Sequence, residues 1–103
     1  EQRANIRVIS DEEIFVPNSF SPSAKNHENR TFKVYGRNIL SAQLKVFNRW
    51  GEVLFSSTRA HSEGWDGTYK GEDMNSGVYA YELEVVLLNQ RKITSSGSVT
   101  LLR

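Results

Sequence analysis

Few side chains in this sequence could do chemistry, and those few are scattered. Two histidines, His27 and His61, fall in polar stretches expected to be loops. They lack the i, i+4 spacing that sets two imidazoles on one metal ion. No serine sits in a G-x-S-x-G elbow, and no glycine-rich loop opens a helical pattern, so nucleophilic attack and phosphate binding have no frame. Glu82 and Glu84 share one side of a strand by their spacing. A glycosidase would need such carboxylates about 5–9.5 Å apart, but the wet face of a half-buried strand accounts for them better. There is no cysteine, which removes disulfides, thiol catalysis and thiolate metal sites. An enzyme is the least supported class, and no cofactor or metal is expected.

The aromatic residues are more informative. Trp65 precedes Asp66-Gly67, a pair that reads as a compact structural turn. The Asp66 carboxylate can accept a backbone amide two residues on, and Gly67 can adopt the positive φ such a turn needs. Trp50 follows Arg49 and precedes Gly51. It reads either as a cap on the core or as an aromatic contact for a protein or a sugar, since Trp and Arg dominate interface energetics.

The elements that would carry these residues are strands. Helical periodicity is nearly absent, and short alternating runs are separated by turn residues. Ile14-Phe15-Val16, stopped by Pro17, reads as the end of an edge strand. Asn18 to Asn29 reads as a loop, Thr31 to Tyr35 as a strand, and Ile39 to Asn48 as another. Gly51 then turns the chain into Val53-Leu54-Phe55, forming a hairpin. Ser56 to Gly64 reads as a loop, and Glu72 to Gly77 as a turn region. The clearest strand is Val78 to Leu88, with Tyr79, Tyr81, Leu83 and Val85 on one face. Asn89-Gln90 turns it back into Lys92 to Leu102, where Val99 and Leu101 share a face. About seven short strands predict an all-β, immunoglobulin-like antiparallel β-sandwich. Residues 1–13 are expected to be a linker or the end of an upstream domain, with a short strand at Ile6 to Ile9.

The chain has 103 residues and a net charge of +1. That balance lacks the basic face that nucleic acid demands. No apolar run approaches the length of a membrane helix, so the chain is not expected to insert into a membrane by itself. Between Asn89 and Arg103 the charged residues are Arg91, Lys92 and Arg103, with no acid. This is either a solvated edge that discourages pairing or a basic strip for an acidic or membrane-proximal partner.

Several segments, taken in order, resemble one family. They are Phe15-Val16-Pro17-Asn18-Ser19-Phe20-Ser21-Pro22, Lys45-Val46-Phe47-Asn48-Arg49-Trp50-Gly51-Glu52, Gly64-Trp65-Asp66-Gly67-Thr68-Tyr69-Lys70-Gly71 and Ser76-Gly77-Val78-Tyr79-Ala80-Tyr81. The ending Gly97-Ser98-Val99-Thr100-Leu101-Leu102-Arg103 matches too. Each is weak alone; their order and spacing are specific. The chain is similar to the gliding-motility-associated C-terminal domain, the type B sorting domain of the type IX secretion system, over residues 14–103. The resemblance implies an immunoglobulin-like fold at the end of a large cargo exported by a Gram-negative Bacteroidetes cell. That cargo would cross the periplasm and reach the cell surface or medium. The implied partners are the type IX secretion machinery and a PorP/SprF-like outer-membrane protein. A folded signal needs a displayed edge or loop cluster. The last strand, with Val99, Leu101 and Arg103, and the turn with Arg49 and Trp50 are the candidate contact surfaces. A carbohydrate-binding module or a structural spacer is the alternative.

One departure from the family pattern predicts a measurable absence. Where the family often carries an acidic, glycine-bearing loop, this chain has Ser23-Ala24-Lys25-Asn26-His27-Glu28-Asn29. A hard cation such as calcium needs several oxygen ligands, and here Lys25 stands in place of an acid. Thermal melts with and without millimolar calcium are therefore expected to superimpose; a calcium-dependent rise would contradict this.

Overall fold

The alternation seen in the sequence from Val78 onward becomes the central strand of the protein. In β8 (Gly77–Leu87) the residues Tyr81, Leu83, Val85 and Leu87 are buried, whereas Val78, Ala80 and Glu82 face solvent. Aromatic and β-branched side chains fit such a pleated, half-buried surface, and the period of two keeps one face wet. A computed structural model describes residues 6–10, 14–25, 30–58 and 64–103. His27 and His61 lie outside the described residues, as do residues 1–5, 11–13 and most of the loop that departs from the family pattern.

The remaining strands are β1 (Ile6–Ser10), β2 (Ile14–Pro17), β3 (Ser19–Phe20), β4 (Ile39–Phe47), β5 (Val53–Ser57), β6 (Thr68–Tyr69), β7 (Glu72–Asp73) and β9 (Lys92–Leu101). One layer is a five-stranded sheet in the order β3-β9-β8-β4-β5. Among the described residues there is no helix, and the all-β sandwich expected from the sequence is the fold observed. The pairing is antiparallel throughout that sheet except at one place. Ser19 and Phe20, expected in a loop, form β3 and run parallel to β9 opposite Thr100 and Leu101. The sheet is therefore mixed.

The second layer is assembled from fragments. β1 pairs with β2, and β2 is stitched to the next segment by reciprocal Phe15–Tyr35 backbone bonds of 2.8 Å. That segment is stitched in turn to the Trp65 turn by reciprocal Phe32–Trp65 bonds of 2.8 and 2.9 Å. Thr31 to Tyr35 was expected to be a strand; it forms two isolated bridges instead. Its ends bond different partners, so no continuous ladder develops. Glu72-Asp73 likewise departs from the turn expected there. It is a short strand opposite Thr68-Tyr69, and both residues of the intervening Lys70-Gly71 turn have positive φ, as a two-residue hairpin loop requires.

The core lies between the two layers. Ile14, Val16, Phe32 and Trp65 meet Leu44, Val46, Tyr81, Leu83, Val85, Val99 and Leu101. Trp65 is 1% exposed. Its ring centroid is 5.5 Å from that of Phe20 and 5.1 Å from that of Tyr79, in tilted and edge-on geometry. Its indole N–H, which could not be left unbonded in an apolar core, donates to Thr68 O at 2.9 Å. The Asp66 carboxylate accepts from the Thr68 N–H at 3.1 Å and its hydroxyl at 2.7 Å, and Gly67 has φ +86°. A Cβ at Gly67 would also crowd Leu101 and the Arg103 guanidinium.

Arg103 binds this turn from the far end of the chain. Its guanidinium donates to Gly67 O at 2.6 Å and Met74 O at 2.7 Å, and it lies 3.7 Å from the Asp73 carboxylate. Hydrogen bonds from a charged donor are each worth about 1.5–3 kcal/mol, and partial exposure lowers that. Arg103→Ala is therefore expected to destabilise the fold by about 1–3 kcal/mol, read by chemical denaturation. Lysine, a single point donor unable to fork between two carbonyls, is expected to restore only part of the loss.

Candidate interaction site at the β4–β5 hairpin

The tip between β4 and β5 begins at Asn48. Its N–H donates to Glu52 O at 3.1 Å, and its own carbonyl accepts from Gly51 N–H at 3.0 Å. Gly51 supplies the positive φ expected from the sequence, at +83°. The Asn48 side chain completes the turn. Its Oδ1 accepts from the Trp50 and Glu52 N–H groups, both at 2.9 Å, and its Nδ2 donates to Glu52 Oε1 at 3.0 Å. Glu52 Oε2 accepts in turn from the Tyr69 hydroxyl at 3.1 Å, tying the tip to β6.

This network holds a large apolar side chain in water. Trp50 is 80% exposed, and the Arg49 guanidinium sits over its ring, 5.3 Å from the centroid. A turn rigidified by side-chain bonds presents that pair with little conformational freedom left to lose, which favours binding. Trp and Arg are also the side chains most often found to carry interface energy. The tip continues into apolar surface. Val53, 42% exposed, is the register partner of Phe47, and Phe47 is the partner of Ala80 on the outer face of the sheet. Val78, 65% exposed, lies on that same face two residues before Ala80. An exposed apolar band beside an anchored aromatic is the composition of a contact surface.

The other residues singled out in the sequence are placed differently. Trp65, Asp66 and Gly67 form the turn described above, with the indole in the core and Asp66 exposed, so the two tryptophans cannot make a shared sugar platform, which needs both rings in solvent. Val99 and Leu101 are 1% and 0% exposed, in the core. A partner could touch their side chains only by opening the sheet. Arg103 is committed to Gly67 and Met74. Lys92 is 3.7 Å from Glu84, and Arg91 lies in the turn after β8. The three cations near the end of the chain thus do not form one strip. Sequence reasoning missed Asn48 and Glu52 as organisers of the tip. The signal was present as an Asn and a Glu four residues apart flanking Arg-Trp-Gly.

Asn48→Ala removes the side-chain oxygen that two backbone donors share. It is expected to cost about 1 kcal/mol and to loosen the tip, seen as faster hydrogen exchange at the Trp50 and Glu52 amides. Unchanged exchange would contradict the assigned role.

Neither a curated protein nor a solved structure matches the chain. The model of the CHU_C Type IX secretion signal domain family matches residues 14–101, a span that includes β2 through β9 and both turns that carry tryptophan. The match covers most of the chain, and the chain belongs to the type IX secretion signal domain family.

Proposed function

We propose that this domain is a type B sorting signal, read in its folded state, that directs an attached cargo from the periplasm across the outer membrane. Membership of a secretion-signal family, not an enzyme family, supports a role in engaging the secretion machinery and export to the cell surface or extracellular space. The finer reading is that the Arg49–Trp50 tip contacts a PorP/SprF-like outer-membrane protein. The observation that carries it is a tryptophan left in water while its own turn is held by the Asn48 and Glu52 side chains. Val99, Leu101 and Arg103 act in this reading by holding the fold.

The test is a periplasm-targeted fluorescent reporter fused to residues 1–103, in a host with a type IX system, with and without the outer-membrane partner. Surface or medium signal is expected to require both. Reporter retained in the periplasm with a folded fusion and the partner present would contradict the sorting role. Substituting Arg49 and Trp50 by alanine should lower partner binding by about tenfold or more, as the loss of a central aromatic anchor does, while the melting temperature stays within about 2 °C. Unchanged affinity would remove the tip from the interface.

A further inference from the structure

β9 has one side covered and one side mostly bare. β8 pairs with it in unbroken register from Lys92 to Leu101. On the opposite side β3 reaches only its end, where the N–H groups of Thr100 and Leu102 donate to Asn18 O and Phe20 O at 2.9 Å. Both donors are on even-numbered residues. Strand alternation therefore directs the N–H and C=O groups of Lys92, Thr94, Ser96 and Ser98 to that same side. No strand pairs with them among the described residues.

Proteins protect such edges with charge, proline, bulges or a covering loop. Ile93-Thr94-Ser95-Ser96-Gly97-Ser98 has no charge, proline or register shift. The cations that flank it are turned elsewhere, Lys92 toward Glu84 and Arg103 toward the Gly67 turn. On the outer face, Thr94 and Ser96 stand beside Glu84 and Glu82 of β8, and beyond these lie Gln43 and Lys45 of β4. Together they line an open groove of about 480 Å³. Among the described residues the Glu82 carboxylate makes no ion pair or hydrogen bond, although Lys45 is its neighbour in register.

We propose that the bare side of β9, from Lys92 to Ser98, is a strand-addition site for an extended, cation-bearing segment of the secretion apparatus. The inference rests on the sorting role and specifies the form in which the domain is gripped. The added strand completes the ladder begun by Thr94, Ser96 and Ser98, which supplies affinity; its alternate side chains supply selectivity. On the outer face, a Lys or Arg beside Ser96 reaches over that small hydroxyl to Glu82, since neighbouring strands are only about 4.8 Å apart. On the inner face, a small apolar residue extends the packing of Ile93, which already lies against the core.

Two variants of the reporter fusion test this. Ser96→Pro deletes an outward N–H that β8 does not use, at an edge position where proline is tolerated. Glu82→Lys reverses the exposed charge and leaves every backbone bond in place. Each is expected to lower surface signal by about tenfold or more, the effect of 1.4 kcal/mol of lost binding, with the purified domain melting near wild type. Folded variants exported as efficiently as wild type would overturn the strand-addition site alone. If Ser96→Pro unfolds the domain, Glu82→Lys decides by itself. Wild-type fusion held in the periplasm would overturn the sorting role and this site with it. A purified wild-type domain that sediments as a dimer, dissociates with Ser96→Pro and is exported equally well in both forms would assign the edge to a second copy and overturn the proposal.

Discussion

The indole of Trp65 is the piece on which the two layers depend. The five-stranded sheet is held at its centre by long backbone ladders; the layer opposite is not. β2, the Phe32–Tyr35 segment and the Trp65 turn are each too short to make an independent sheet, and they are joined by isolated pairs of backbone bonds. What gives them a common position is the apolar surface they bury. Trp65 touches Phe20 of β3 and Tyr79 of β8, while Phe32 lies 5.2 Å from Tyr81. A large aromatic here is worth several kcal/mol in lost packing if truncated. The Asp66–Thr68 bonds and the Arg103 clamp fix the turn that aims it.

That arrangement separates two tryptophans that are alike by composition. One sits where the turn folds inward, with Asp66 bonding forward to Thr68. The other sits where the turn projects outward, with Asn48 bonding forward to both Trp50 and Glu52. In each case a short polar side chain satisfies backbone donors that a tight turn would leave open. The direction of the turn relative to the sheet then decides whether the indole supports the core or faces solvent.

Much of this was legible in the sequence because it is local. Alternation identified β8 and its buried face, Gly51 identified the β4–β5 hairpin, and Asp66-Gly67 identified the turn with its side-chain bond. The features that escaped are set by partners distant along the chain. Ser19-Phe20 carries too little pattern to signal a strand, and becomes one only because β9 lies alongside. Thr31 to Tyr35 alternates as a strand should, yet its two ends bond different neighbours. The cations near the end read either as a solvated edge or as a basic strip, and neither reading foresaw that the Arg103 guanidinium reaches two turn carbonyls. At the candidate site, the exposure of Trp50 depended on which way the hairpin leaves the sheet, and that is a property of the assembled layers.

The parallel pairing of β3 with β9 has a consequence in time. The chain is made from its N-terminal side, so Ser19 and Phe20 exist long before Thr100 and Leu101 do. Until β9 emerges, β8 has only β4 beside it, Phe20 has no strand to lie on, and the Gly67 turn lacks the guanidinium that clamps it. Contacts of such long sequence separation close late and slowly. A nascent or prematurely terminated chain therefore cannot display the finished sheet. The five-stranded sheet is thus a late product of folding, complete only in a chain that carries both β3 and β9.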